Sequence, residues 1–449
     1  MEIFQGPVVA PMHVTGVGGA YIASAEGTEG TTVNSAAPAV RQPYSTTWFD
    51  YDIALGVSFP GAFTSSDFDN HGDDANLPAQ HANVGNFTDL NVGGTLQFGG
   101  LGVSAAGDLQ QFSLTTTAPG QPALTLQIGR WKGLAAYGMF GGQLAVGGGV
   151  RVVTMQVLQD GSGTLLNMAG ASPEAGALLM PTGQPWRIGV TARAPVSGGV
   201  GVGFLGQQIF SGSQKPVSGN LVVPSQVVMP WEVEAGLAYQ LGPRPLNPGW
   251  ENPRAEDERL RAEIAQDRDG RKHRYEEELA ALPPDARRAR AREQLAEEKA
   301  LRSIEDEHLD EEGDRQHRTR KARYANWPRE HILLLASVLL TGQSPNAVSE
   351  EGFLDQRVET VGRRLSVTPR LGLEGEPLQN HMLLRTGTYV EPSRYDGGTA
   401  RQHFTFGADV KLVPLTFWGL FPDDPWKLGI FVDLAPRYTN WGFGLGTWH

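Results

Sequence analysis

The sequence predicts an all-β transmembrane barrel of about 14 antiparallel strands, carrying an N-terminal segment inside its lumen and an α-helical hairpin insertion. Segments of roughly ten residues alternate an apolar side chain with a glycine, polar or charged one, the pattern of strands whose two faces meet lipid and a wet lumen. Eight segments carry the pattern clearly and about fourteen strands can be placed in all, where a soluble sandwich uses roughly seven to nine. No apolar run approaches the roughly 20 residues of a spanning helix; the longest, Ile332 to Leu340 with Ser337 inside it, has strand length.

Taken in order, strands are expected near residues 51–59, 89–98, 100–114, 123–139, 143–158, 185–195, 199–210, 228–241, 329–341, 363–375, 379–390, 401–413, 426–435 and 437–448. In the first, Tyr51, Ile53, Leu55 and Val57 oppose Asp52, Ala54, Gly56 and Ser58. In the sixth, Trp186, Ile188 and Val190 oppose Arg187, Gly189 and Thr191, and in the twelfth Phe404, Phe406 and Val410 oppose His403, Thr405 and Asp409. An even count returns both chain ends to one side. Short connections at Gly99-Gly100, Gly141-Gly142 and 196–198 then fall on the periplasmic side, and 60–88, 159–184, 211–227, 342–362 and 391–400 become extracellular loops. Asp67 to Asn76 reads as solvated loop. Aromatic residues near strand ends (Trp48, Phe49, Trp131, Phe140, Trp327, Trp418, Phe421, Trp426, Trp448) are expected to form interfacial girdles.

The lumen-facing phase places charges of both signs inside the barrel: Arg187, Arg193, Glu232, Glu234, Arg370, Glu374, Arg385, Asp409 and Lys411. Mutual pairing is expected of them. In the third strand the apolar phase of Leu101, Val103, Ala105 and Leu109 switches at Phe112, which predicts a β-bulge near Gln110-Gln111 and a candidate lateral opening formed by Gly107, Asp108, Gln110 and Gln111.

Between Glu251 and Glu330 the alternation stops, and 22 acidic and 19 basic residues crowd into the segment. Apolar residues there keep three-to-four spacing (Leu260, Ile264; Tyr275, Leu279, Leu282; Leu301, Ile304), and Pro283-Pro284 breaks the run, so two helices are expected. The organisation predicted is a lumen segment at 1–50, strands one to eight at 51–242, a charged helical insertion at 243–328 and the remaining strands at 329–449.

The first 50 residues have few side chains able to build a core: Gly16, Gly18, Gly19 and Ala20 lead to Asn34-Ser35-Ala36-Ala37-Pro38-Ala39. Such a segment needs a container, and a glycine-rich backbone fits one closely. Gly18-Gly19-Ala20 together with the asparagine and Pro-Ala of 34–39 resembles the FadL family of outer-membrane transporters for hydrophobic compounds. The resemblance implies a hatch (Gly16, Gly18, Gly19, Ala20, Asn34, Pro38) plugging a fourteen-stranded barrel, with a lateral route at a third-strand kink. Asn34 and Pro38 stand further apart here than in the family's compact motif. It implies passive uptake of a hydrophobic small molecule in the outer membrane of a Gram-negative bacterium, with outer-membrane lipid around the barrel. PorV-like relatives imply the alternative, a structural or secretion component docking a periplasmic or membrane protein through 251–326.

Composition excludes other classes. There is no cysteine, hence no disulfide or thiol chemistry, and a net charge of -12 argues against nucleic acid. No nucleophile constellation, phosphate loop or helical histidine pair occurs, so no enzyme activity, cofactor or metal is expected. Met1 to Met12 has neither a charged n-region nor an apolar h-region, so an outer-membrane destination implies that the signal is absent from this chain.

Overall fold

The structure, a computed structural model, describes residues 1–3, 6–41, 45, 47–61, 67, 69–71, 88–114, 124–159, 163–199, 224–354, 358–412 and 425–448. Two compact units are present, one of residues 1–42, 51–249 and 328–449, the other of 43–50 and 250–327.

In the first unit fourteen strands close into an antiparallel ring. They are β1 (Phe49–Ser58), β2 (Thr88–Phe98), β3 (Leu101–Leu114), β4 (Leu124–Met139), β5 (Leu144–Gln159), β6 (Gly163–Leu179) and β7 (Trp186–Arg193), then β10 (Glu232–Leu241) and β11 (Ile332–Thr341), and finally β14 (Ser366–Leu378), β15 (Met382–Glu391), β16 (Arg401–Lys411), β17 (Trp426–Ala435) and β18 (Tyr438–Thr447). The first and last strands pair, Ala54 opposite Gly446, which removes the free edges an open sheet would leave. Two short strands, β8 (Val196–Gly199) and β9 (Gln226–Met229), continue β7 and β10 beyond Pro195 and Pro230, whose missing N–H groups interrupt the ladder. A small hairpin of β12 (Ala347–Val348) and β13 (Thr360–Val361) stands beside the ring.

The expected faces hold. Leu55, Ile188, Val190, Phe404, Phe406 and Val410 are exposed, whereas Arg187, Thr191, His403, Thr405 and Asp409 are buried. A continuous exposed belt of Leu, Val, Ile and Phe is tolerated only where hydrocarbon replaces water. Among the described residues no helix is long and apolar enough to cross a membrane. The two-residue turn Gly99-Gly100 has positive φ at Gly99, as a tight connection between twisted strands requires, and the four-residue turn at 140–143 has it at Phe140, Gly141 and Gly142.

Several expectations are corrected. Residues 163–179 form a full strand paired with β5 and β7, where a loop was expected. Its outward side chains include Ala171, Ala175 and Ala177 and its inward ones mix Leu166, Met168 and Leu178 with Ser172 and Glu174, so the polarity contrast that marks a barrel strand is weak. Residues 196–198 consequently belong to a strand and not to a periplasmic turn, and the direction of β7 is the reverse of the expected one. The expected strand at 199–210 falls, apart from Gly199, outside the described residues, as do Trp418 and Phe421. Trp426 and Trp448 are buried and are not girdle residues, while Phe49, Trp131 and Phe140 are exposed.

No bulge interrupts β3. Its register runs unbroken against β2 from Phe98↔Leu101 to Thr88↔Gln111, and against β4 from Leu101↔Tyr137 to Leu114↔Leu124. Phe112 points inward because the lumen itself turns apolar at that level. There it packs among Leu126, Ile128, Met155, Val157, Leu166 and Met168. The phase switch reported a change in what the wall faces, not an extra residue.

The second unit is a helical hairpin, α3 (Pro253–Ala281) and α4 (Pro284–Ala325), inserted between β10 and β11. Asn252 caps α3 by accepting from the Arg254 N–H, and Pro253 fills the first helical position where no donor is needed. Half-buried positions recur at Leu260, Ile264, Arg268, Arg271, Tyr275 and Leu279, and again at Arg290, Glu298, Leu301, Glu305 and Leu309. That is an eleven-residue spacing, close to the natural helical period, so the helices lie together with little supercoil. Ion pairs supply much of the seam: Arg268 to Glu305 at 2.6 Å, Arg271 to Glu298 at 3.4 Å and Arg290 to Glu278 at 2.7 Å. These pairs are screened by salt, and the hairpin has little apolar core of its own. Because β10 and β11 pair over their whole lengths, Glu232↔Thr341 to Leu241↔Ile332, their register does not need the insertion. Deleting residues 251–326 is therefore expected to leave a barrel that still migrates as a folded, heat-modifiable species on a denaturing gel. Loss of that species would show that the hairpin contributes to barrel stability.

Candidate functional site

The lumen is filled from the chain's own N-terminus. A short helix α1 (Met12–Gly16), a second α2 (Gly27–Thr31) and a 3-10 turn at Ala37–Ala39 are almost wholly buried among the strands. Wall glycines make this approach possible. At Gly102, Gly147 and Gly189 the plug backbone (Pro38, Ser35 and Ile22 oxygens) lies where a Cβ would stand. Gly18 and Gly19 adopt positive φ, which carries the chain past β15 and Arg370.

Polar wall groups satisfy the plug's backbone, as a segment with so few side chains requires. Thr405 donates to the Gly16 carbonyl, Arg370 to that of Gly19, Arg193 to that of Val33, Lys132 to that of Thr32, and the Gln97 amide to those of Pro38 and Val40. Asn34 is the internal organiser. Its amide donates to the Ile22 carbonyl at 3.0 Å and the Ala177 carbonyl at 3.3 Å, and its oxygen accepts from the Ala36 N–H at 3.0 Å. The separation between Asn34 and Pro38 thus serves two wall strands, β6 at Asn34 and β2 at Pro38.

Ion pairs complete the clamp. Arg385 lies between Glu374 at 2.6 Å and Asp409 at 2.8 Å; Glu374 meets His13 of the plug at 2.9 Å; Lys427 joins Asp409 at 3.4 Å to Glu29 of the plug at 2.5 Å. Arg187 reaches Glu26 at 3.3 Å. Across the lumen Arg151 and Arg193 share Glu232, and Arg370 pairs with Glu234 at 3.0 Å. Eight of the nine expected lumen charges take part. Lys411 does not: it is partly exposed and donates to Asn380 at 2.8 Å. The gate residues do not converge. Asp108 pairs with Arg130 in the lumen and Gln110 is buried, whereas Gln111 is on the outer surface accepting from Gln127, and Gly107 lies under the exposed Trp131 ring. Sequence reasoning missed His13, Glu29, Lys132, Arg151, Glu174 and Lys427. Lys427 and Arg151 do lie in the inward phase of their strands, a usable signal, but the plug residues have no periodicity to reveal them.

A cavity of about 170 Å³ remains between plug and wall. Its lining combines Val8, Pro11, Val14, Val33, Val153, Met229 and Leu339 with the paired groups of Asp108, Arg130, Lys132, Arg151, Arg193, Glu232, Glu234 and Arg370. With most charges already paired, its free surface can wrap an apolar body and offer a limited number of polar contacts.

Fold and lumen together define a closed transmembrane β-barrel whose N-terminal segment occupies its own pore. No family model and no curated protein matches the chain. Among solved structures it is similar to the CymD monoaromatic hydrocarbon channel, at 9% identity over 98% of this chain and 96% of that one with a TM-score of 0.49. It is similar too to a Pseudomonas aeruginosa FadL homologue, at 10% identity over 99% of each chain and a TM-score of 0.49, and to the Pseudomonas putida toluene transporter TodX, at 10% identity over 100% and 99% and a TM-score of 0.48.

Proposed function

We propose that the protein is an outer-membrane channel for the passive uptake of small hydrophobic molecules. The observation that carries this reading is the lumen itself: a cavity of about 170 Å³, lined in part by Val8, Val14, Val153 and Met229, lies against a plug that is held by polar contacts and by a cluster of small buried side chains. The size suits a compound of one ring, since a cavity of about 150 Å³ accommodates benzene. A molecule entering from the loop side desolvates against the apolar wall, displaces the plug, and leaves sideways at Gly107 to Gln111 or past the plug. Surrounding lipid serves as the sink in the first case.

The direct test is equilibrium binding and liposome uptake of a monoaromatic hydrocarbon by the purified barrel, where no binding at millimolar ligand removes the proposal. The exit route has its own test, helped by the absence of native cysteine. Leu90 and Leu109 are register partners across β2 and β3, so Leu90→Cys with Leu109→Cys places a disulfide across the candidate opening. Uptake is expected to fall at least about tenfold on oxidation and return on reduction; unchanged uptake assigns the exit to the plug.

A second reading, an assembly component that docks a periplasmic or membrane protein through residues 251–326, is favoured by the compactness of the hairpin as its own unit and by its exposed Leu295 and Ile304. Partner recovery that survives deletion of the hairpin removes it.

A further inference from the structure

The densest buried polar cluster of the lumen that the plug clamp does not use is centred on His403 of β16. Its Nδ1 lies 2.9 Å from Asp433 of β17 and its Nε2 2.6 Å from Glu391 of β15, and all three residues are fully buried. An imidazole that faces an ionised carboxylate from each nitrogen satisfies both only when both nitrogens carry hydrogen, that is, as imidazolium. The remaining neighbours are Tyr389 of β15, stacked on the ring at 4.2 Å, Tyr438 of β18, edge-on at 5.3 Å, and Arg401 of β16 itself, which donates to Glu391 at 2.7 Å. Counted together, two carboxylates meet two cations, and loss of the His403 proton leaves a buried negative charge uncompensated.

What the cluster touches gives it a role. Toward the loop end, Arg401 donates to the Asp67 carbonyl, and Asn70 donates to the carbonyl of Glu391 at 3.2 Å. Asp67, Asn70 and His71, expected to be solvated, are buried. Toward the plug, Tyr389 donates to Asp433 at 2.6 Å and its oxygen accepts from the Val8 N–H at 3.0 Å, while Gly6 packs directly on the Glu391 carboxylate. One unbroken chain of hydrogen bonds therefore runs from the outer loop through Arg401, Glu391, His403, Asp433 and Tyr389 to the segment that leads into the plug.

We propose that His403 is a positioning residue that latches Asp67 and Asn70 of the loop and the plug lead Gly6 to Pro11 to the same wall while it is protonated, and releases both when it is not. The assignment rests on the transport reading for its purpose but not for its test. No titratable group of the plug lead faces the ring; from the loop side Asp67 is the nearest, and His13, further along the plug, pairs separately with Glu374.

The test is hydrogen exchange of the Gly6, Val8 and Ala10 amides in the full chain folded in micelles, expressed as protection relative to intrinsic exchange. Protection is expected to drop about 10- to 100-fold between pH 5.5 and pH 8.5, the scale of losing one charge-assisted hydrogen bond. His403→Lys keeps the charge and is expected to remain protected across that range; His403→Gln is expected to be weakly protected throughout. Flat protection in the wild type overturns the latch, and so does a pH dependence that persists unchanged in His403→Lys, which would assign it to a group other than His403. The wild-type series and the lysine variant decide the matter even if the glutamine variant does not fold. Protection that titrates in a protein showing no hydrocarbon uptake would remove the transport reading and leave the latch standing; uptake with flat protection would do the reverse.

Discussion

Replacing Gly147 with valine is expected to unseat the plug and turn a closed barrel into a leaking one. Gly147 faces the lumen from β5, and a Cβ there would overlap the Ser35 carbonyl oxygen of the plug and come within 2.7 Å of the Ala136 methyl. Neither obstacle is the end of a flexible side chain. The wall residue is held by ladders to β4 and β6, Gly147 opposite Ala136 on one side and Gly176 on the other, so the wall does not yield. Overpacking of a well-packed site costs about 1–3 kcal/mol. Here the plug can escape most of that cost by moving, and moving it breaks the Ser35 bond to Glu174 at 2.9 Å and shifts Asn34 from its carbonyls. Conductance in planar bilayers is expected to rise severalfold over wild type, with the barrel's heat-modifiable migration retained. Gly102→Val, which would overlap the Pro38 oxygen, should act alike. Gly133→Val, on the outer face of β4 with nothing within 4 Å of its Cβ, should not. Equal conductance in all three would show that these wall glycines do not govern the seat of the plug.

The barrel was legible because lipid on one side and polar lumen on the other impose a period of two on nearly every strand. Where the physical contrast failed, so did the reading. β6 presents alanines outward and mixes Leu166, Met168 and Leu178 with Ser172 and Glu174 inward, so neither face has one polarity, and a loop was expected there. Phe112 was the opposite case: a real signal misassigned, since an inward aromatic marks an apolar lumen level as readily as a bulge marks an extra residue. The charges on wall strands could be placed by phase alone. Their partners could not, because Lys427 reaches Glu29 and Arg187 reaches Glu26 across a lumen that no local pattern describes. The plug was recognised as needing a container from its glycine and small-residue content. Which wall glycine receives which carbonyl is decided by ring closure, through long-range pairings such as Ala54↔Gly446 that position all strands at once.

Arg385→Met is expected to be the most destabilising single change in the clamp. The guanidinium is 1% exposed and sits between Glu374 and Asp409, themselves 9% and 0% exposed, at 2.6 and 2.8 Å. Removing it leaves two buried carboxylates facing a methionine. Breaking a buried ion pair from one side costs about 3–5 kcal/mol, more than the pair contributes relative to an apolar replacement, because the charge left behind has lost both water and partner. Lys427 and His13 offset part of this, since each already contacts one of the orphaned carboxylates; but drawing them closer pulls on Glu29 and on the plug helix that carries His13. The loss should therefore appear twice, as a lower urea midpoint for the barrel and as plug opening at concentrations below that midpoint. Asp409→Asn in the Arg385→Met background should recover part of the stability by removing one uncompensated charge, and the double-mutant cycle should show coupling of about 0.5–3 kcal/mol. Additive losses in that cycle would mean that Arg385 stabilises the lumen through its packing and that the clamp is not electrostatic.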